Sequence, residues 1–444
     1  MAGIAGIAAD NTTEEVSEML GTFRYRGNAG ISVFEKGGTT IGIIWNETEK
    51  ETVKKCLEAG DAGYISSPGN YVIVKPGKSS FIMTRDELGA APLYYGNDKN
   101  GNMCFASEIK ALLPFTKEIR EMAPGHILEG EKLRPFFSIS AGKKATGTPG
   151  QIAEKLYKLL DKAISECIRT ENTGSWLSGG LDSSVICALA TRHLKKLRTF
   201  AAGMKGAPDL EYAREVARYI KSEHHEKVVS PEEMTAILPE VIYHLESFDA
   251  LLVRSSLMNY LIARLASEYV DEVFSGEGGD ELFAGYGYLK SIPAVDLEKE
   301  LLRITGALHN TALQRVDRCA FAHGMIAHMI FTNPEIVKFA FTIPVGYKIH
   351  GKTEKWILRK SMEGMLPDKI LRRPKAKFWE GAGVKELLAD YAGNNISDND
   401  FRIERNLSNG QIINSKEELL YYRIFREHFG SDIDLSWMGR TKVT

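Results

Sequence analysis

The stretch Ser178-Gly179-Gly180-Leu181-Asp182-Ser183-Ser184 follows a short apolar run ending at Trp176-Leu177 and precedes an amphipathic pattern. Two adjacent glycines let backbone N–H groups approach an anion with no Cβ in the way. A helix starting near Asp182-Ser183-Ser184 turns its free N–H groups and the positive end of its dipole toward the same anion. Phosphate is the natural occupant, cradled by Leu177, Ser178, Gly179, Gly180, Asp182, Ser183 and Ser184. Asp182 alone repels phosphate, but it becomes useful if it holds a Mg²⁺ ion that bridges to the phosphate oxygens. A plain glycine turn with a Ser/Asp helix cap is the simpler interpretation, and the full seven residues between strand and helix disfavour it. The chain has no Gly-x-x-x-x-Gly-Lys-Ser/Thr loop, so the expected cleavage is between the α- and β-phosphates.

Two further stretches extend this pocket. Phe274-Ser275-Gly276-Glu277-Gly278-Gly279-Asp280-Glu281 again places glycines and acids after an apolar run. Ser275 and Gly276 then face the phosphates, Asp280 supplies a second Mg²⁺ ligand opposite Asp182, and Glu277 faces the nucleophile or orients the substrate. Arg372-Arg373-Pro374-Lys375-Ala376-Lys377-Phe378-Trp379 sets cations beside aromatics, with Lys375 the candidate to stabilise charge building on the α-phosphate. An acidic turn and a solvated basic loop are the simpler interpretations of these two stretches.

From Gln151 onward, helical patterns (152–169, 183–194, 211–220) alternate with short apolar runs (175–177, 199–204, 272–275). Such alternation implies βαβ units in a doubly wound parallel sheet, and ligands bind beyond the carboxyl ends of its strands. After Leu282 the pattern is mostly helical; residues 393–414 read as a polar surface excursion, and Ser415-Lys416-Glu417-Glu418 as a capping box opening the last helix. Residues 1–139 carry short alternating or β-branched runs (30–34, 39–45, 71–74, 80–84), the mark of a mainly β domain. Residues 140–150, rich in Gly and poor in large apolar side chains, form the expected linker to a second domain over 151–444. A chain of 444 residues with a formal charge of -2 suits two domains and offers no polybasic arm for nucleic acid. No apolar run approaches bilayer length, the N-terminus lacks a basic flank, and five scattered cysteines form no Cys-x-x-Cys pair. A cytoplasmic protein without a membrane partner is expected. His224-His225 reads as the start of an exposed strand, and Tyr421, Tyr422, Phe425 and Phe429 as core packing at helical spacing.

On these residues the chain resembles the asparagine synthetase family of PP-loop ATP pyrophosphatases. Thr199 to Met204 matches the strand lining the adenine site, which adds Ala202 and Met204 to the ATP contacts. Ile242 to Asp249 with Arg254-Ser255-Ser256 resembles the substrate-side helix, making Arg254 a substrate-binding candidate. Lys355, Leu358-Arg359-Lys360, the Lys375 loop and Tyr421 to Phe425 follow in the family's order. The resemblance implies an adenine-nucleotide α-hydrolase-like sheet, ATP and Mg²⁺ as cofactors, and an acyl-adenylate that ammonia converts to an amide. It also suggests a dimer. Glutamate at position 277 matches amide-forming members, whereas β-lactam-forming relatives carry tyrosine there.

Residues 1–139 are similar to the family's glutaminase domain, an Ntn-hydrolase-like β sandwich, through Ala2 to Ile7, Arg26-Gly27, Arg85 to Gly96, Phe105 to Lys110 and Ala123 to His126. Its chemistry depends on a cysteine after the initiator methionine, and here that position is Ala2. The family's Asn-Gly-Glu-Ile-Tyr-Asn segment is also missing between Trp45 and Asn70, so glutaminase activity is expected to be lost. Leu251-Leu252 replaces a threonine pair, and Ile326, His328, Ile330 and Asn333 replace glutamate, arginine, proline and aspartate near the expected acceptor pocket. Aspartate is therefore the first acid to try, with other small carboxylic or amino acids behind it. Two other readings stay open: a ligase or cyclase using another acid and an amine other than ammonia, and a non-catalytic nucleotide-binding homologue.

Overall fold

Strand Gly3–Ile7, buried along its whole length, runs through the middle of a six-stranded antiparallel sheet. Its order is Gly30–Glu35, Thr40–Trp45, Gly3–Ile7, Met103–Ala106, Tyr94–Asn97, Arg120–Glu121. A second antiparallel sheet is ordered Lys132–Pro135, His126–Glu129, Phe81–Arg85, Asn70–Pro76, Ala62–Ser67. Phe81 and Phe105 meet between the two sheets with ring centroids 4.8 Å apart. In Asn70–Pro76, buried residues alternate with partly exposed ones, as a strand with one face on the core requires. The expected β sandwich is therefore present. This computed structural model describes residues 2–374, 384–407, 410–431 and 433–441.

Residues 136–148 contain neither helix nor strand. Helix Pro149–Cys167 then starts on a capping box, Thr148 Oγ1 accepting from the Gln151 N–H at 3.3 Å and Gln151 Oε1 accepting from the Thr148 N–H at 2.9 Å. Its buried Ile152, Leu156, Leu160 and Ile164 recur every four residues and form its core face.

The third sheet is parallel, in the order Glu223–Val229, Arg198–Met204, Thr173–Trp176, Glu272–Ser275, Ile326–Met329. From Thr173–Trp176 the chain winds outward to one side, and from Glu272–Ser275 to the other. The crevice between these adjacent strands is the topological switch point, where an open parallel sheet receives its ligand. The phosphate loop and the acidic loop leave the two strands at this place, and helix Leu181–Ala190 packs against both strands.

Two details differ from expectation. Residues 393–414 are not a simple excursion, because helix Asp398–Glu404 forms within them, capped by Ser397. Helix Lys416–Phe429 begins with half of the predicted box: Ser415 Oγ accepts from the Glu418 N–H at 3.1 Å, but Glu418 reaches back to Asn414 instead. Glu417 and Glu418 are buried against Arg254 and Arg440, so tertiary ion pairs override the local motif. His224 and His225 lie on the edge strand Glu223–Val229, and Tyr421, Tyr422, Phe425 and Phe429 are core residues. Among the described residues no helix is long and apolar enough to cross a membrane, and all five cysteines are free.

Candidate active site

The phosphate loop is shaped by its own hydroxyls. Ser183 Oγ accepts from the Ser178 N–H at 3.2 Å, Ser178 Oγ accepts from the Gly180 N–H at 3.3 Å, and Ser184 Oγ donates to the Gly180 carbonyl at 2.7 Å. Gly179 has φ +67°, and a Cβ there would lie 2.4 Å from Tyr212 Cβ, so only glycine fits. The helix begins at Leu181 with Gly180 as its cap residue, and no side chain caps it. The Ser/Asp cap interpretation is therefore set aside. First-turn N–H groups left without a capping side chain are the kind of donors that can receive an anion.

The acidic loop closes onto this seat. A Cβ at Gly276 would lie 2.8 Å from the Ser183 nitrogen, which shows how tightly the two loops abut. Asp182 and Asp280, each with a side chain 11% exposed, both pair with the Lys355 ammonium, whose Nζ is 2.5 Å from Asp280 Oδ1. Lys355 is 1% exposed and has φ +53° at the head of helix Trp356–Ser361. Gly285 makes room for the arrangement, since a Cβ there would come within 1.9 Å of Asp280 Oδ1 and 2.1 Å of Lys355 Cε.

Glu277 pairs with Arg315 of helix Ala312–Phe321. Burial, then the Asp280 and Glu277 charges, push the Glu281 carboxyl up to about 7, against the Tyr286 hydroxyl that donates to it at 2.5 Å. Ser275 is buried at the end of its strand, and Ala202 and Met204 occupy the carboxyl end of Arg198–Met204, on the same side of the sheet as the loop.

Lys375 falls in 375–383, outside the described residues. The chain leading to it is anchored at the loop. Arg373 pairs with Asp209, donates to the Ser178 carbonyl at 3.3 Å, and stacks 3.9 Å over the Tyr212 ring. Arg359 in turn donates to the carbonyls of Leu371 at 2.6 Å and Arg373 at 3.2 Å while pairing with Glu354. Arg254 makes a bidentate pair with Glu417, whose Oε1 also accepts from the Tyr421 hydroxyl at 2.9 Å.

The replaced family positions have structural roles. Ile326 and His328 are fully buried in the sheet, with His328 Nε2 3.1 Å from Glu272 Oε2. Burial disfavours the imidazolium, but the Glu272 carboxylate outweighs it and pushes the His328 pKa up to about 9. Asn333 caps helix Pro334–Thr342 by accepting from the Glu335 N–H at 2.9 Å. Leu252 is buried in helix Ala250–Ser267. Ile326 and His328 thus serve the sheet, and Asn333 serves a helix cap.

In the first, antiparallel domain, Ala2 is fully buried and its N–H donates to Glu49 Oε1 at 2.7 Å, an oxygen that also accepts from Ser66 Oγ at 3.2 Å.

Lys355 and Arg373 stand in motif stretches of the sequence that give them no role, and Arg315 and Gly285 stand in none. One signal was available for Lys355: a cation at the start of a helix opposes the dipole, so its use lies elsewhere.

The described residues contain no group of three or more His, Cys, Asp or Glu that could hold a metal by themselves. Two carboxylates drawn onto one cation do fit Mg²⁺, which takes one or two carboxylates and completes its shell with phosphate oxygens and water.

An antiparallel sandwich followed by a parallel sheet, with a glycine loop at its switch point, is the fold of the asparagine synthase family's two domains. The chain belongs to the asparagine synthase family: the family's domain matches residues 155–302 and 293–442, and the glutamine amidotransferase domain matches 46–139. It is 33% identical over 389 residues to "Asparagine synthetase [glutamine-hydrolyzing] 2" of Arabidopsis thaliana, covering 81% of this chain and 66% of that protein. It is 33% identical over 379 residues to "Asparagine synthetase B [glutamine-hydrolyzing]" of Escherichia coli K12, covering 79% and 68%. It is 32% identical over 420 residues to a probable asparagine synthetase of Schizosaccharomyces pombe, covering 84% and 74%. The chain spans about two thirds of the length of the first of these relatives.

Proposed function

We propose that this protein is an ATP-dependent amide synthetase that joins ammonia to a small carboxylic or amino acid. The observation that carries this reading is the meeting of Asp182 and Asp280 on Lys355, in the crevice between the two loops. The loop 178–184 binds the leaving pyrophosphate through backbone N–H groups and the helix dipole. Mg²⁺, held by Asp182 and Asp280, neutralises phosphate charge when bound. Lys355, already charge-paired at this place, turns to the phosphates as nucleotide enters, and Lys375 stabilises charge on the α-phosphate. The acid's carboxylate attacks the α-phosphorus, pyrophosphate leaves, and ammonia displaces AMP from the acyl-adenylate. Glu277, oriented by Arg315, faces the incoming nitrogen and takes its proton.

Ammonia rather than glutamine is the nitrogen source in this reading, because the nucleophile position is Ala2 and its N–H is engaged by buried Glu49. Leu251-Leu252, in place of two hydroxyl residues, favours an acceptor less polar than aspartate as a second reading.

The test is to incubate the protein with ATP, Mg²⁺ and a panel of amino and carboxylic acids, with and without ammonia, and follow pyrophosphate. Release requiring both an acid and ammonia supports the proposal. Release with acid alone points to another amine nucleophile, and nucleotide binding without release under any condition refutes synthetase activity.

A further inference from the structure

Six charged side chains meet where the two halves of the chain touch: Arg26, Glu108 and Lys110 from the first, Glu246, Asp317 and Arg318 from the second. None is more than 7% exposed, and three cations cancel three anions. Arg26 pairs with Glu108 beside it and with Asp317 across the boundary. Arg318 donates to the Ser107 carbonyl at 3.1 Å and to Glu246 at 2.9 Å, and its Nη1 lies 3.1 Å from Glu108. Glu246, in left-handed backbone at φ +57°, accepts from the N–H groups of Ile109 at 3.1 Å and Lys110 at 2.9 Å.

Asp317 and Arg318 sit on helix Ala312–Phe321, and Arg315, which holds Glu277, is one turn earlier on that helix. Arg315 and Arg318, three apart, share a face of this helix, and Asp317 is carried on the same helix two positions from Arg315, so the boundary charges and the Glu277 contact act on one rigid element. A buried ion-pair network contributes little net stability, whereas it can specify one register.

We propose that the N-terminal domain positions the synthetase site, with Arg26 and Glu108 as positioning residues that act through helix Ala312–Phe321 on the Arg315–Glu277 pair. The proposal rests on the amide-synthetase reading for what Glu277 does. A group displaced by about 1 Å can lose up to about 100-fold in rate, so loosening this anchor is felt at the chemistry.

The test uses the full chain with Arg26→Lys, which keeps the charge but loses the planar fork spanning two carboxylates. The near-isosteric Glu108→Gln carries the test if that variant fails to fold. The kcat of pyrophosphate release should fall about tenfold while the KM for ATP stays within about twofold. In an Arg315→Met background the same change should cost less than about twofold, because the path it acts through is already broken. Equal losses in both backgrounds, or a change in ATP KM that matches kcat, overturn the proposal. Hydrogen exchange supplies a readout without turnover: amides of 276–281 and 312–321 should exchange faster in Arg26→Lys, and those of 178–184 should not. A wild-type protein that releases no pyrophosphate defeats the synthetase reading, whereas unchanged exchange at 276–281 defeats the positioning role.

Discussion

Replacing Lys355 with methionine keeps the length of the side chain and removes a positive charge with which both Asp182 and Asp280 pair. Both carboxylates reach the same ammonium, so their bonded oxygens are within about 5 Å of each other, and at an effective dielectric of about 20 they then repel by about 3 kcal/mol. The two carboxyl side chains are only 11% exposed, so water screens little of this. The ligand-free variant should be less stable by roughly that amount, a fall in melting midpoint of roughly 3 °C for a chain of this length, measured at pH 8 to limit relief by carboxyl protonation. Mg²⁺ at millimolar concentration should restore most of the loss and stabilise the variant more than the wild type, since the ammonium no longer competes for the seat. Pyrophosphate release should stay low even with Mg²⁺ present, because the phosphates lose a fixed cation. A variant as stable as wild type in the absence of metal, and indifferent to Mg²⁺, would refute the shared cation seat.

Gly285→Ala should abolish pyrophosphate release and lower the melting midpoint, because the new methyl would overlap Asp280 Oδ1 and Lys355 Cε; a fully active variant would show that the three groups do not need this spacing. Ala2→Cys should release no glutamate from glutamine, since the expected glutamine-recognition segment is missing and Glu49 already engages the residue 2 N–H; measurable glutaminase activity would contradict this. The His328 imidazolium faces Glu272, with Cys167 and Arg169 the other titratable groups around the pair. Its folded pKa of about 9 is above the unfolded value of roughly 6.5, so its contribution is fully present below pH 6.5 and is lost as pH rises through 9. Urea midpoints should therefore fall by the equivalent of about 3 kcal/mol over that window, and His328→Gln should flatten the fall; parallel pH curves for the two proteins would refute the pairing.

What was legible in the sequence was local. The strand, glycine turn and helix at Ser178 are neighbours in the chain, and the reading of a phosphate seat needed only the absence of Cβ atoms and the direction of a helix. The alternating strands and the four-residue recurrence of Ile152, Leu156, Leu160 and Ile164 were equally local. The partners of the motif residues were not legible. Asp182 meets Lys355 across 173 positions, and Arg26 meets Asp317 across 291, with no periodicity to announce either. A buried charge must find an opposite charge somewhere, but the sequence does not say where. Local patterns also misled where tertiary pairing won, as at Glu417, which pairs with Arg254, and Glu418, which shares its carboxylate between the Asn414 N–H and Arg440 instead of closing the box on Ser415. The same kind of pairing gives the N-terminal domain a structural part at the boundary. Deleting the domain would leave Glu246, Asp317 and Arg318 facing water without Arg26, Glu108 and Lys110, and would free the helix that holds Arg315.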